Sequence, residues 1–309
     1  MTTAFLFPGQ GSQSIGMLAE AEKAWPVVAE TFSEASDALG FDLWDLCQKG
    51  PEDELNQTAV TQPAILTASI ALWREWCGSK GGRPEWVAGH SLGEYSALVA
   101  AESISFVDAV KLVRLRGELM QEAVPDGGGR MAAIIGLDDE TVMAVCEESA
   151  QGEVVSAVNF NAPGQVVIAG ETSAVDRAIE SCKAKGAKRA MALPVSVPSH
   201  CALMKPAADE LSNALDEVDF GDASIPVVQN VTAAPEQDSE ALRDNLVHQL
   251  YSPVQWTGSV RYLVEENVTS AVECGPGRVL AGLVRRIDRN LKVHGIETPD
   301  AMTKALEQA

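Results

Sequence analysis

The sequence predicts an α/β fold, a parallel sheet flanked by helices, with a small α+β unit inserted into it. Three observations carry that prediction. Short apolar runs alternate with helix-forming stretches along most of the chain. Gly-rich turns join several of these runs to the helix that follows, an arrangement that gathers ligand sites at strand ends. Between residues 126 and 196 the pattern changes to strand-helix-strand, twice over. The 309 residues thus divide into a large domain of 1–125 and 197–309 and an inserted domain of 126–196.

Residues 1–9 lack the basic flank and long apolar core of a signal peptide and read as a first buried strand. Pro8-Gly9-Gln10-Gly11-Ser12-Gln13 is a Gly-rich turn before a helix expected over 16–39. No Gly-Lys-Ser/Thr follows, so it is not a phosphate-cradling Walker loop. Its free backbone N–H groups can still hold an anion or an oxyanion. Residues 61–76 read as a buried helix ending near Gly78 and Gly81-Gly82. Val87-Ala88-Gly89-His90-Ser91-Leu92-Gly93-Glu94 comes next: apolar run, G-x-S-x-G, helix. That is the context of a nucleophile elbow, a sharp turn with the serine at its apex and small residues letting the backbones pass. A helix is expected over 106–122 and a linker over 125–129.

In the insert, strands are expected at 131–135, 154–158, 166–169 and 189–193, and helices at 140–148 and 174–185. This β-α-β-β-α-β order is the signature of a ferredoxin-like unit. Pro198-Ser199-His200 then precedes a helix running to about 218. A strand at 225–228, helices at 238–250 and 256–266, and a strand at 268–273 come next. Gly275-Pro276-Gly277 is a turn, 279–286 a helix, His294 lies in a late strand, and the tail from 299 is helical.

A formal charge of −21 argues against nucleic acid and anionic membrane surfaces as partners. No apolar run reaches spanning length, so the cytoplasm is the expected compartment. Lys183, Lys185, Lys188 and Arg189, and again Arg285, Arg286 and Arg289, are local basic spots. They are either docking points for an acidic partner or solvated faces. The six cysteines are scattered without a C-x-x-C pair, which suggests buried free thiols and neither zinc nor disulfides.

Ser91 is the candidate nucleophile. Of four histidines, His90 points away from it by chain geometry, His248 lies on a helix near Arg243 and Asp244, and His294 has no acidic neighbour. His200, at a strand-to-helix junction of the large domain, is the candidate base. A hydrolase triad would place its acid between Ser91 and His200. Asp108, Asp138, Asp139 and Asp176 fall on helices or in the insert, with nothing marking any of them as the third member. A dyad is expected, its imidazole oriented by a backbone carbonyl or an amide side chain. On the 106–122 helix, Ala109, Leu112, Val113, Arg116 and Met120 share one face, whereas Arg114 sides with Lys111 and Glu118. Arg116 is therefore half of an internal ion pair, a side chain that snorkels to the rim, or a fork for a substrate carboxylate.

The Pro8–Gln13 turn, Gly89-His90-Ser91-Leu92-Gly93-Glu94, Arg116, Asn159-Phe160-Asn161, Pro198-Ser199-His200, Gln249-Leu250-Tyr251 and Gly275-Pro276-Gly277 resemble the malonyl-CoA:acyl carrier protein transacylases of fatty acid synthesis, over essentially the whole chain. The resemblance implies an α/β-hydrolase-like large domain with a ferredoxin-like insert. It implies Ser91 as the malonyl-carrying nucleophile and His200 as base and then acid. The backbone N–H groups of Gln10 and Leu92 become the oxyanion hole, Arg116 the malonyl carboxylate clamp, and Gln249 the holder of His200. Malonyl-CoA and an acyl carrier protein are the implied substrates, with no cofactor or metal; docking near Lys188 and Arg189 is expected. Modular polyketide relatives that select malonyl place a bulky aromatic where this chain has Ser199, so malonyl is expected with tolerance of methylmalonyl left open, and a malonyl/methylmalonyl acyltransferase of a polyketide pathway is the alternative. A serine thioesterase, which needs a third acidic member and no clamp, is the alternative activity.

Overall fold

A computed structural model describes residues 2–125, 127–195 and 197–308. The chain opens with β1 (Thr3–Phe7), α1 (Ala19–Ala24), α2 (Pro26–Leu39), α3 (Leu43–Lys49), α4 (Glu52–Leu55) and α5 (Thr58–Gly78). The elbow follows as β2 (Trp86–Gly89) and α6 (Gly93–Ala100), and then α7 (Phe106–Glu122). Next come β3 (Gly129–Ile135), α8 (Asp139–Ala150), β4 (Val155–Ala162), β5 (Gln165–Glu171), α9 (Thr172–Ala184) and β6 (Arg189–Ala192). The remainder is α10 (Lys205–Asp216), β7 (Val227–Val228), β8 (Pro235–Glu236), α11 (Ser239–Gln249), α12 (Trp256–Glu265), β9 (Ser270–Glu273), α13 (Val279–Ile287), β10 (Lys292–Gly295) and α14 (Pro299–Gln308).

Two sheets result. The larger has the order β10-β9-β1-β2-β7-β8 and is parallel except for β8, which pairs antiparallel with β7. Its central strand alternates its faces, as the two-residue period of a strand requires. Phe5 and Phe7 enter the core beneath α2, α5 and α7, whereas Ala4 and Leu6 enter the one beneath α12 and α13. Both faces are covered, as parallel sheets require.

The smaller sheet is antiparallel in the order β4-β5-β3-β6, the ferredoxin-like arrangement. Ile134, Val166 and Ile168 pack under α8 and α9, while Met131, Val158, Val167 and Ala169 on the other face pack against Cys201. A backbone seam joins β4 of the smaller sheet to the segment between α11 and α12. Phe160 N–H donates to Val254 O at 3.0 Å, and Val254 N–H donates to Val158 O at 2.8 Å. The boundaries drawn at 126 and 196 fall on Asp126 and Ser196, outside the described residues.

Several elements differ from expectation. The helix expected over 16–39 is two, because Pro26 drives Trp25 into an extended conformation (φ −129°, ψ 106°) and the first helix ends there. The helix after His200 begins only at Lys205, after a single 3₁₀ turn over Ala202–Met204. The strand at 225–228 shrinks to Val227–Val228. Among the cysteines, Cys77 at the end of α5 is exposed, so not every thiol is buried. Among the described residues no helix is long and apolar enough to cross a membrane.

Candidate active site

The elbow is built by close approach. A Cβ on Gly89 would lie 1.9 Å from the Gly93 carbonyl carbon, and one on Gly93 would lie 2.1 Å from Phe7 O. Only glycine lets β2, β1 and α6 meet this tightly. Ser91 sits between them at φ 53°, a left-handed conformation that costs a non-glycine residue about 1–3 kcal/mol. Three contacts hold it there. Its N–H donates to Asn230 Oδ1 at 2.7 Å, and its C=O accepts from Gln249 Nε2 at 3.0 Å and from the Glu94 N–H at 3.0 Å. At about 0.5–1.5 kcal/mol net each, such bonds match the strain in size.

His200 is brought to Ser91 across 109 positions of chain. Ser91 Oγ lies 2.7 Å from His200 Nε2, and His200 Nδ1 lies 2.7 Å from the backbone O of Gln249. A carbonyl oxygen only accepts, so Nδ1 carries the proton and Nε2 is free to take the serine's. The orienting group is thus the Gln249 carbonyl, not its side chain. Burial, and then the Arg116 charge, push the His200 pKa down to about 3, so the imidazole is a neutral base. Asp108 accepts from the hydroxyl of Ser105, the residue that caps its helix, Asp138 caps its own helix, and Asp176 pairs with Arg130, so none of these serves His200.

Arg116 is 2 % exposed. Its Nη1 donates to Gln62 Oε1 at 2.8 Å, and its Nη2 donates to Gln249 Oε1 at 3.0 Å and to Ser91 Oγ at 3.3 Å. Its Nε has no acceptor, and among the described residues no carboxylate forms an ion pair with it. Burial lowers its pKa, opposed by Tyr95 and Glu94. Arg114, by contrast, turns outward and pairs with Glu118 at 2.5 Å. A guanidinium held by neutral amide oxygens beside a nucleophile is short of one negative charge.

Gln10, Ser91, Leu92, Arg116, Ser199 and His200 all line one cavity of about 130 Å³, which adjoins a second of about 200 Å³ through Gln10, Thr58, Met120, Val195 and Val197. The backbone N–H groups of Gln10 and Leu92 donate to no acceptor among the described residues. His90 also lines this cavity, but its ring does not bond Ser91: its Nε2 donates to Asn161 Oδ1 at 2.7 Å. His248 is exposed, and Cys201 Sγ donates to Pro198 O. Lys183 and Lys185 pair with Glu180 and Glu148, whereas Lys188 and Arg189 are exposed and form no ion pair among the described residues.

Three residues of the site were not foreseen: Gln62, Asn230 and Glu94 as a buried acid. Gln62 and Asn230 arrive from α5 and from just past β7, with no local motif. Glu94 stood inside the elbow motif, where a carboxylate on a helix's first turn reads as an ordinary dipole partner.

The chain matches the family model described as acyl transferase domain over residues 4–298. It is 60 % identical over 305 residues to the malonyl CoA-acyl carrier protein transacylase of Salmonella typhimurium, covering 99 % of each chain. Among solved structures it superposes with a TM-score of 0.99 on a malonyl-transacylase in complex with a type II PKS acyl-carrier protein, at 57 % identity and with both chains fully covered. An acyl carrier protein S-malonyltransferase from Vibrio cholerae gives a TM-score of 0.96 at 54 % identity, covering 98 % of this chain and 99 % of the other.

Proposed function

The chain belongs to the acyl transferase domain family, and we propose that it moves a malonyl group from malonyl-CoA to the phosphopantetheine thiol of an acyl carrier protein, supplying extender units for fatty acid synthesis. The observation that carries this reading is Arg116, a buried cation with no carboxylate paired to it among the described residues, 3.3 Å from the nucleophile's oxygen. An acyl group that ends in a carboxylate supplies the missing charge. Acetyl would leave the guanidinium unpaired and is selected against.

The chemistry is two matched half-reactions. His200 Nε2 takes the Ser91 hydroxyl proton as Oγ attacks the thioester carbonyl. The oxyanion that forms lies against the N–H groups of Gln10 and Leu92, whose worth in such a hole is on the order of a hundredfold in rate each. The C–S bond breaks and CoA leaves, its sulfur protonated by the imidazolium. The carrier thiol enters the same place, gives its proton to His200 and attacks the malonyl ester; the bond to Ser91 Oγ breaks, the imidazolium returns the proton to Oγ, and the malonyl group leaves as the carrier thioester. Ping-pong kinetics follow. No cofactor enters any step.

The dyad supports transfer over hydrolysis. A carbonyl, not a carboxylate, backs His200, and a site that exchanges thiols need not turn water into a strong nucleophile. We assign the dyad and clamp to residues 1–125 and 197–309, with 126–196 as the wall that covers them, and place the enzyme in the cytoplasm. The carrier docks at Lys188 and Arg189 in this reading. From there β6 runs toward Leu193 and Val195, which line the cavity, a path of about 20 Å at a strand's rise per residue. Reversing both charges should raise KM for the carrier several-fold and leave loading from malonyl-CoA intact; equal loss of both half-reactions would remove the docking assignment.

The test of the reaction is an intact-mass spectrum after mixing with malonyl-CoA. One malonyl ester on Ser91, discharged by carrier protein faster than by water, is expected. No adduct, or discharge by water alone at the same rate, would contradict it.

A further inference from the structure

Ser91 is not left-handed by its own preference, and the side chain that answers for it is Asn230. Asn230 lies two residues past β7, whose Val227 and Val228 pair with Val87 and Ala88 of β2, so it arrives beside the end of the elbow strand. It is 1 % exposed, and each of its polar groups is engaged. Oδ1 accepts the Ser91 N–H at 2.7 Å, and Nδ2 donates to Gly89 O at 2.6 Å. Its backbone C=O accepts from the Gln255 N–H at 2.8 Å. Its backbone N–H donates to Glu94 Oε2 at 2.8 Å.

Glu94 is fully buried, three residues after the nucleophile, and its own N–H returns to Ser91 O at 3.0 Å. Ser91, Glu94 and Asn230 therefore close a ring of hydrogen bonds under the catalytic serine. The amide of Asn230 spans the turn from Gly89 O to Ser91 N–H and so sets how tightly the chain bends at His90.

We infer that Asn230, held from behind by the Glu94 carboxylate, is the positioning residue that keeps Ser91 left-handed and so presents Oγ and the Leu92 N–H to the acyl group together. Without it, a buried Ser91 N–H has no acceptor, and the turn relaxes toward negative φ. The peptide between Ser91 and Leu92 then rotates, and the nucleophile and one oxyanion donor leave their places at once. Arg116 touches Ser91 Oγ but keeps two holders outside this ring, Gln62 and Gln249, so substrate capture persists. The loss falls on the chemical step.

The inference rests on Ser91 being the nucleophile, and the experiment separates the two. Single-turnover malonylation of Ser91 is followed by quenched-flow intact mass, beside inactivation by phenylmethylsulfonyl fluoride, a neutral serine reagent that makes no use of the clamp. Asn230→Ala should lower both rates about a hundredfold, the scale of one oxyanion donor, with KM for malonyl-CoA within about threefold of wild type. Asn230→Asp, which keeps the acceptor but turns an oxygen toward Gly89 O, covers the case in which alanine does not fold. Glu94→Ala should cost about tenfold, and Glu94→Gln, which retains an oxygen for the Asn230 N–H, should recover most of it.

The fraction of sites that react distinguishes positioning from unfolding. A full amplitude reached slowly supports the inference, and a reduced amplitude reached at the wild-type rate overturns it. Equal losses in Glu94→Ala and Glu94→Gln also overturn it, because charge and not the hydrogen bond would then matter. A wild-type protein unlabelled at Ser91 would overturn the parent reading instead.

Discussion

Two strand-to-helix turns flank β1 in the large sheet, β2–α6 on one side and β9–α13 on the other, and they use the same architecture in opposite ways. At β9–α13 the positive φ falls on Gly277 (75°), where it costs nothing, and the Glu273 carboxylate accepts the N–H groups of Leu280 and Ala281 at 2.8 and 2.9 Å. That turn is closed: the helix start already holds its anion. At β2–α6 the positive φ falls on Ser91, no carboxylate among the described residues accepts the Leu92 N–H, and Leu92 lines a cavity. The closed turn is spent on stability, whereas the open one carries strain and an unfilled donor, which is what an oxyanion hole requires. Glu94, the acid of the open turn, sits behind the serine and bonds Asn230 instead.

The largest effect that separates the two turns is on folding. Glu273→Ala leaves a buried and a half-buried N–H group without their acceptor, at about 1–3 kcal/mol. Tm should fall by several degrees for a chain of this size. The kcat of the folded enzyme should stay within about twofold of wild type. A loss of kcat at unchanged Tm would erase the distinction between the turns.

Protonation gives the next largest effect. Burial pushes the Glu94 carboxyl up to about 7, opposed by the Asn230 N–H, and holds His200 down near 3. With His200 a free base throughout, serine acylation should change only a few-fold between pH 8 and pH 5. A base with an ordinary histidine pKa would lose about thirtyfold over that range.

Stability moves oppositely for the two groups. The His200 contribution is complete above 6.5, the ordinary value, and is lost as pH falls toward 3. The Glu94 contribution is complete below 4.5 and is lost as pH rises to about 7. Glu94→Gln removes the second loss, so its Tm relative to wild type should rise between pH 5 and pH 8. A constant difference would contradict the raised pKa.

The open turn was legible in the sequence because its chemistry is local: two glycines around a serine fix the crossing, and helical spacing alone put Arg116 on the apolar face and Arg114 outside. The α/β class and the ferredoxin-like insert were legible for the same reason, strand and helix periods being read over a few residues. The supports were not. Gln62 and Asn230 reach Arg116 and Ser91 across 54 and 139 positions of chain, and an isolated amide carries no periodic signal. Gln249 was placed beside His200, yet its carbonyl bonds the imidazole while its side chain divides between Arg116 and Ser91. Residue spacing does not tell backbone from side chain. The break at Trp25 was within reach, since the residue before a proline leaves the helical region.

The central claim is that Arg116 makes the open turn a site for acyl groups ending in a carboxylate. Its most direct test is the ratio of Ser91 loading rates from malonyl-CoA and acetyl-CoA, measured by intact mass in wild type and in Arg116→Ala. The clamp predicts that the ratio falls by about a hundredfold or more in the variant, with malonyl loading lost and acetyl loading retained or improved. A ratio unchanged by the substitution would contradict it.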